Sequence, residues 1–259
     1  MKIFRCLFFT FVVASTFSVN GFGQDSTAQE IIFPSGISLD CGFGSYTLKD
    51  EYISKEKYSG SLPFYQLNWT KPHDGYVYHM SLTFQKSKDL KSNNVSAEIL
   101  QFTVNQGFNY ALPEFSLFDK TVKTYLGPAT ELFYYNNKQH IAVSGFEYAK
   151  SFALLISGGI SSHLLYNLAE KLNLEGSLDF SLISFGSRMV DSEESDETPV
   201  KILTIFSGTN INFRLGIRYY LFDSLSLKAS YLFNLTRIKP WEPFISASDN
   251  FIGSINYEF

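Results

Sequence analysis

The sequence predicts an all-β chain of about ten antiparallel strands closed into an up-and-down barrel. Three observations lead there. Residues 210–221 alternate apolar and polar side chains with a strict period of two, which strands produce and helices do not, and 224–236 repeat the pattern. Such runs last about ten residues or more, whereas globular strands usually stop at about five or six. The chain also carries 26 Phe and 16 Tyr against 2 Trp and 3 Met, an aromatic load that favours strands.

The first residues read as an address. Lys2 and Arg5 give a basic start, Cys6 to Phe17 form an apolar core, and Gly21 and Gly23 supply small residues before a cut. The apolar run is shorter than the roughly 20 residues of a spanning helix. Residues 1–23 are therefore expected to be a signal peptide, 24–36 a periplasmic lead, and 37–259 the barrel. Cys6 leaves with the signal, so Cys41 alone remains, which excludes a disulfide framework and a cysteine zinc site. A net charge of −4 argues against a nucleic-acid partner.

The strands follow from the alternation. In 201–221, Ile211, Phe213, Leu215, Ile217 and Tyr219 share one face, with Asn212, Arg214 and Arg218 on the other. In 224–239, Leu225, Leu227, Ala229, Tyr231 and Phe233 oppose Ser226, Lys228 and Ser230, so Phe222 to Ser224 is a tight hairpin turn. Leu174, Leu178, Phe180 and Leu182 set 172–188, while Leu154, Ile156, Ile160 and Leu164 set 150–167. Tyr76, Tyr78, Met80, Leu82 and Phe84 oppose His79, Ser81, Thr83 and Gln85 in 75–88. The weaker patterns place strands at 37–53, 60–71, 96–110 and 122–136, and 247–259 completes ten, with eight or twelve as alternatives. Short turns at one end, around Pro72, Ala169 and Asp223, face longer polar connections at the other. Gly107 to Thr121 breaks this rule and reads as a periplasmic segment or an inward plug.

At the end of the chain Phe251, Gly253, Ile255 and Tyr257 alternate with Ile252, Ser254, Asn256 and Glu258, and Phe259 closes it. This resembles the terminal strand of Gram-negative outer-membrane β-barrel proteins, whose last aromatic is read by the barrel-assembly machinery. The resemblance implies an outer-membrane location, contact with lipid and lipopolysaccharide, and a monomer. It identifies an export class and no activity.

With apolar faces toward lipid, the polar faces line the lumen, since Arg or Lys at the lipid midplane costs about 2–4 kcal/mol. One register sets Glu175 opposite Arg218 and Asp179 opposite Arg214, another sets Lys228 opposite Glu258, and the turn at Asp223 sets Lys228 beside Arg218. The six form an expected lumenal charge ladder. It either fills a narrow barrel with neutralised charge or lines a small selective pore. Ser161 and His163 share a strand face and resemble, in reversed order, the His/Ser pair of outer-membrane lipid A deacylases. Parity points them inward near the periplasmic end, and no carboxylate in the sequence pattern orients His163. They read as lumen filling, as does His79. His73 and His140 lie in connections, and no histidine pair has metal-ligand spacing, so no metal, cofactor or catalytic residue is expected. The acidic run Asp191 to Glu197 lacks the glycine and spacing of a calcium loop and reads as a solvated tip. The functional expectation is a structural or interaction barrel with a largely plugged lumen. A narrow channel for ions or small solutes is the alternative, and a lipid-modifying enzyme the second alternative.

Overall fold

A computed structural model describes residues 35–92, 95–118, 120–140, 149–190 and 200–259. The expected signal peptide, the lead up to residue 34 and the acidic run at 191–197 lie outside these. Every element among the described residues is a strand: β1 (Gly36–Asp50), β2 (Ser54–Ser61), β3 (Phe64–His73), β4 (Tyr76–Ser92), β5 (Val95–Ala111), β6 (Phe115–Leu117), β7 (Lys120–His140), β8 (Ala149–Ala169), β9 (Leu172–Val190), β10 (Lys201–Thr204), β11 (Gly208–Phe222), β12 (Leu225–Ile238) and β13 (Phe244–Glu258).

Twelve of the 13 strands make ten staves, and β6 pairs with β7 outside the ring. β2 and β3, broken at Leu62 and Pro63, are one stave between β1 and β4, and β10 and β11 are another against β9. Antiparallel pairing then runs unbroken around the ring, and β13 closes on β1 from Gly36↔Glu258 to Asp50↔Phe244 without a bulge. Closure leaves no unpaired edge, the condition for crossing a bilayer with strands. Both ends of the ring lie at one rim, with the turns at Asp74–Gly75, Glu170–Lys171 and Asp223–Ser224. We call this the turn end and the opposite rim the loop end. Gly75 takes φ 81°, which its turn requires.

The Gly107 to Thr121 stretch is not an inward plug. β5 runs on to Ala111, and β6 folds back on β7 at the turn end, where Tyr166 Oη donates to the Leu117 carbonyl at 3.1 Å. The polar segment 54–59, expected as a loop, is strand β2; only 51–53 remain as a turn. Its Ser-Lys-Glu-Lys sequence carries no apolar alternation because it rises beyond the apolar belt.

The barrel changes character along its length. On β1, Ile37, Leu39 and Phe43 face outward and are exposed while Asp40 is buried inside. Two residues further on the sense inverts: Thr47 and Lys49 face outward, and Tyr46 and Leu48 point into the barrel. The turn-end half is thus apolar outside and polar inside, as a membrane segment must be. The loop-end half encloses an apolar core; its outside is polar on β1 and β2, while Phe185 on β9 and Ile202 on β10 stay exposed. That core gathers Tyr46, Leu48, Tyr58, Leu62, Leu90, Ile99, Phe133, Tyr135, Leu155, Leu203, Ile238 and Phe244. Around the turn end, Trp69 and Tyr78 meet edge to face at 5.7 Å, and Tyr76 packs at a tilt against Phe108 and Tyr110, forming part of an aromatic belt.

Candidate functional site

The candidate site is the lumen of the turn-end half. A cavity of about 180 Å³ reaches from the rim at Gly36, Tyr257 and Glu258 to Phe64, Phe133 and Leu232, under the apolar core. Its walls are the inward faces of the staves, so the alternation that keeps lipid contacts apolar also collects polar groups here.

Glu175, Arg218, Lys228 and Glu258 meet at the rim. Arg218 Nε lies 2.5 Å from Glu175 Oε1, its Nη1 donates to Glu258 Oε1 at 2.9 Å, and Lys228 Nζ reaches Glu175 Oε2 at 2.8 Å. The registers differ from those expected. Arg218 faces Asn173 and Arg214 faces Ser177, a slip of two residues that keeps the parity, and the Glu175 contact is diagonal. Lys228 faces Ser254 rather than Glu258, while its place beside Arg218 is direct. A two-residue slip preserves every side chain's face, which is why contact partners change and the lumen does not.

Asp179 and Arg214 are not brought together. Arg214 Nη1 instead pairs with Asp40 Oδ2 at 2.7 Å and donates to Gln66, while its Nε donates to Ser230 and its Nη2 to Ser254. Asp40 went unseen because the inversion on β1 blurs its pattern. Glu131 accepts from Asn210, and from Asn212 at 3.1 Å. Asp179 Oδ1 accepts from Ser161 Oγ at 2.6 Å and its Oδ2 from Asn105 at 3.1 Å.

Asp179 sits among the histidines. The His79 and His163 rings lie 4.7 Å apart, edge to face, although β5 and β7 separate their strands. Ser161 Oγ is 3.3 Å from His163 Nε2, and Asn109 Nδ2 is 3.1 Å from His79 Nδ1. His79 crosses over Gly107 on the next strand; a Cβ there would stand 2.3 Å from its ring. The absent side chain at 107 is what lets the ring reach inward. Sequence spacing hides this cluster, since each member comes from a different stave or position. The serine proton is directed at the Asp179 carboxylate and not at the imidazole, which is not the order of a nucleophilic triad.

At the other end, Arg188 and Asp50 form an ion pair whose side chains are 1% and 0% exposed. Parity from Glu175 would aim Arg188 at lipid. A bulge opposite Gly158 and Gly159 leaves Leu182 and Ile183 both outward and turns the rest of β9 over. Two consecutive exposed apolar residues were the available signal. Cys41 is exposed on the outward face of β1.

A closed ring of ten staves with an apolar outer belt and a charged lumen defines a transmembrane β-barrel of the bacterial outer-membrane type. The outer membrane protease OmpT from Escherichia coli has a similar fold, with a TM-score of 0.51 at 8% identity over 90% of this chain and 100% of that one. The translocator domain of autotransporter NalP from Neisseria meningitidis aligns at a TM-score of 0.44 and 13% identity, covering 100% of this chain and 96% of that one. No protein-family model matches the chain, and neither does any curated protein.

Proposed function

We propose that this chain is a closed outer-membrane barrel that acts through its surface, as a structural or interaction protein, and not as a pore. The observation that carries this reading is the inversion of polarity along the staves. The loop-end half fills the lumen with a packed apolar core, and solutes and ions do not cross such a layer at appreciable rates. The Arg188 guanidinium lies over the Phe244 ring at 5.2 Å and the Tyr52 ring at 4.4 Å, sealing the top of that core.

The loop end then faces outward from the cell, and its collar of Lys55, Lys57, Lys86 and Lys91 fits the phosphates of lipopolysaccharide. The closing strand β13 is the segment offered to the assembly machinery, and the closed ring suits a monomer. The channel reading is disfavoured by the core, and the lipid-modifying reading by the position of Ser161 and His163 inside the barrel.

The test is single-channel recording of the purified barrel in planar bilayers, with heat-modifiable gel mobility as the check on folding. Folded protein that yields no conductance steps supports the closed barrel. Regular steps whose ion selectivity changes on neutralising Arg214 or Arg218 would replace it with the narrow channel.

A further inference from the structure

We infer that the lumen binds one divalent first-row transition ion, of the zinc type, on His79, His163 and Asp179. The ligand atoms of these three side chains all lie within 4.8 Å of one another, in the wall of the cavity that opens at the turn end. Two imidazoles and a carboxylate are the donor set of three-ligand zinc sites, which keep a further position for water. Calcium and magnesium are the wrong partners, because they take six or more oxygens. Tetrahedral bonds of about 2.0–2.1 Å put ligand atoms roughly 3.3 Å apart, so the three close on an ion by side-chain rotation alone.

Charge supplies an independent argument. Four carboxylates line this cavity, Glu131, Glu175, Asp179 and Glu258, and Asp40 is buried beside it against Arg214. Three cations face them, Arg214, Arg218 and Lys228. Each cation is committed, to Asp40, to Glu175 and Glu258, or to Glu175. Asp179 and Glu131 have no Lys or Arg partner among the described residues, and Glu131 feels the charge of Asp179. Two enclosed carboxylates without a cationic partner make a site that a divalent cation neutralises.

The surroundings are those of a supported ligand set. Ser161 and Asn105 hold the two oxygens of Asp179, and Asn109 holds Nδ1 of His79. An ion on Nε2 of His79 requires Nδ1–H to donate. Turned over, the Asn109 amide presents its oxygen for that bond, and this oxygen is buried without a hydrogen-bond partner in the metal-free arrangement. The oxygen of Asn105 is likewise buried and unpartnered. Gly107 completes the cradle by leaving room for the His79 ring.

The inference is independent of whether the barrel conducts. Its test uses the full-length barrel without an affinity tag, refolded in detergent and stripped by chelator. Co²⁺ is titrated as the optical probe, and Zn²⁺ by calorimetry. One equivalent should bind, with Co²⁺ showing the intense visible bands of a low-coordinate ion. His163→Gln and Asp179→Asn should each weaken binding at least about tenfold, and Asn109→Ala by about 10- to 100-fold. His73→Ala, at the rim and stacked on Tyr76, should leave it unchanged. Gel mobility and circular dichroism report folding of each variant, and the mild His163→Gln keeps the site polar should Asp179→Asn fail to fold. Absence of saturable binding to the folded wild type overturns the inference, as does binding that survives both His163→Gln and Asp179→Asn. Conductance with an intact ion site would overturn the closed-barrel reading alone.

Discussion

Asp50 and Arg188, 138 residues apart in the chain, meet as a fully buried ion pair at the loop end of the barrel. Asp50 also accepts from Ser151, from Asn137 at 3.4 Å and from the Tyr52 amide at 3.2 Å. Arg188 donates in addition to the Glu242 carbonyl. The pair therefore ties β1, β7, β8, β9 and the 239–243 connection over the apolar core. A buried charge stripped of its partner is costly, while a buried pair against an apolar replacement is near neutral. Asp50→Asn and Arg188→Met should each lower the unfolding free energy by about 3–5 kcal/mol, and Asp50→Leu with Arg188→Met should recover most of it. Urea titrations of the refolded barrel check this; equal losses in single and double variants would show that the site acts through its other bonds.

On the closed-barrel proposal, the apolar core beneath the pair closes the lumen. Phe244 is fully buried and packs edge to face with Tyr135 at 4.8 Å. Phe244→Ala should cost about 3–5 kcal/mol, because the rigid ring of staves cannot collapse into the space. Serine at Tyr135, Leu155 and Phe244 together should let water through and produce conductance steps absent from the wild type. A folded triple variant that stays silent would show that the seal lies elsewhere.

The ten-stave ring was legible in the sequence because lipid on one side and water or charge on the other impose one rule on every residue of a spanning strand. Asn210 to Leu221 states that rule without exception. β1 states it and then reverses it, with Phe43 outward and Tyr46 inward, so a single-parity reading weakens where the strand leaves the bilayer. The same reversal hid Asp40, Asp50 and the apolar core. Arg188 was hidden by the bulge at Leu182 and Ile183, which shifts parity with no glycine or proline at the bulged residues themselves to mark it. Contacts across the lumen, such as His79 with His163, depend on closure and side-chain reach, which alternation does not encode.

Arg218 joins Glu175 and Glu258, two carboxylates that would otherwise repel at the rim. Removing it leaves Glu175 with Lys228 and Glu258 with the Ser226 hydroxyl. Arg218→Met should therefore destabilise the barrel more than Glu258→Gln, and the two losses should not add. A coupling of about 0.5–3 kcal/mol between them is expected from denaturation of the single and double variants. Additive losses would mean that the two side chains act separately.

The lysine collar gives the surface reading its own test. Lys55 and Lys57 project from β2, Lys86 and Lys91 from the neighbouring β4, and all four are exposed. Exposed ion pairs add little to folding, so charge reversal here should leave unfolding within about 1 kcal/mol of wild type. Lipopolysaccharide, by contrast, carries fixed phosphates, and each added lysine strengthens attraction to an anionic headgroup layer by about 1 kcal/mol. Replacing the four lysines with glutamate should weaken binding to lipopolysaccharide-containing vesicles by more than tenfold at low salt, with the difference shrinking as salt screens the charges. Replacing them with arginine should preserve binding, since the charge is kept. Equal binding of the wild-type and glutamate barrels, both folded, would remove lipopolysaccharide as the partner of this face and leave the loop tips as the surface through which the barrel acts.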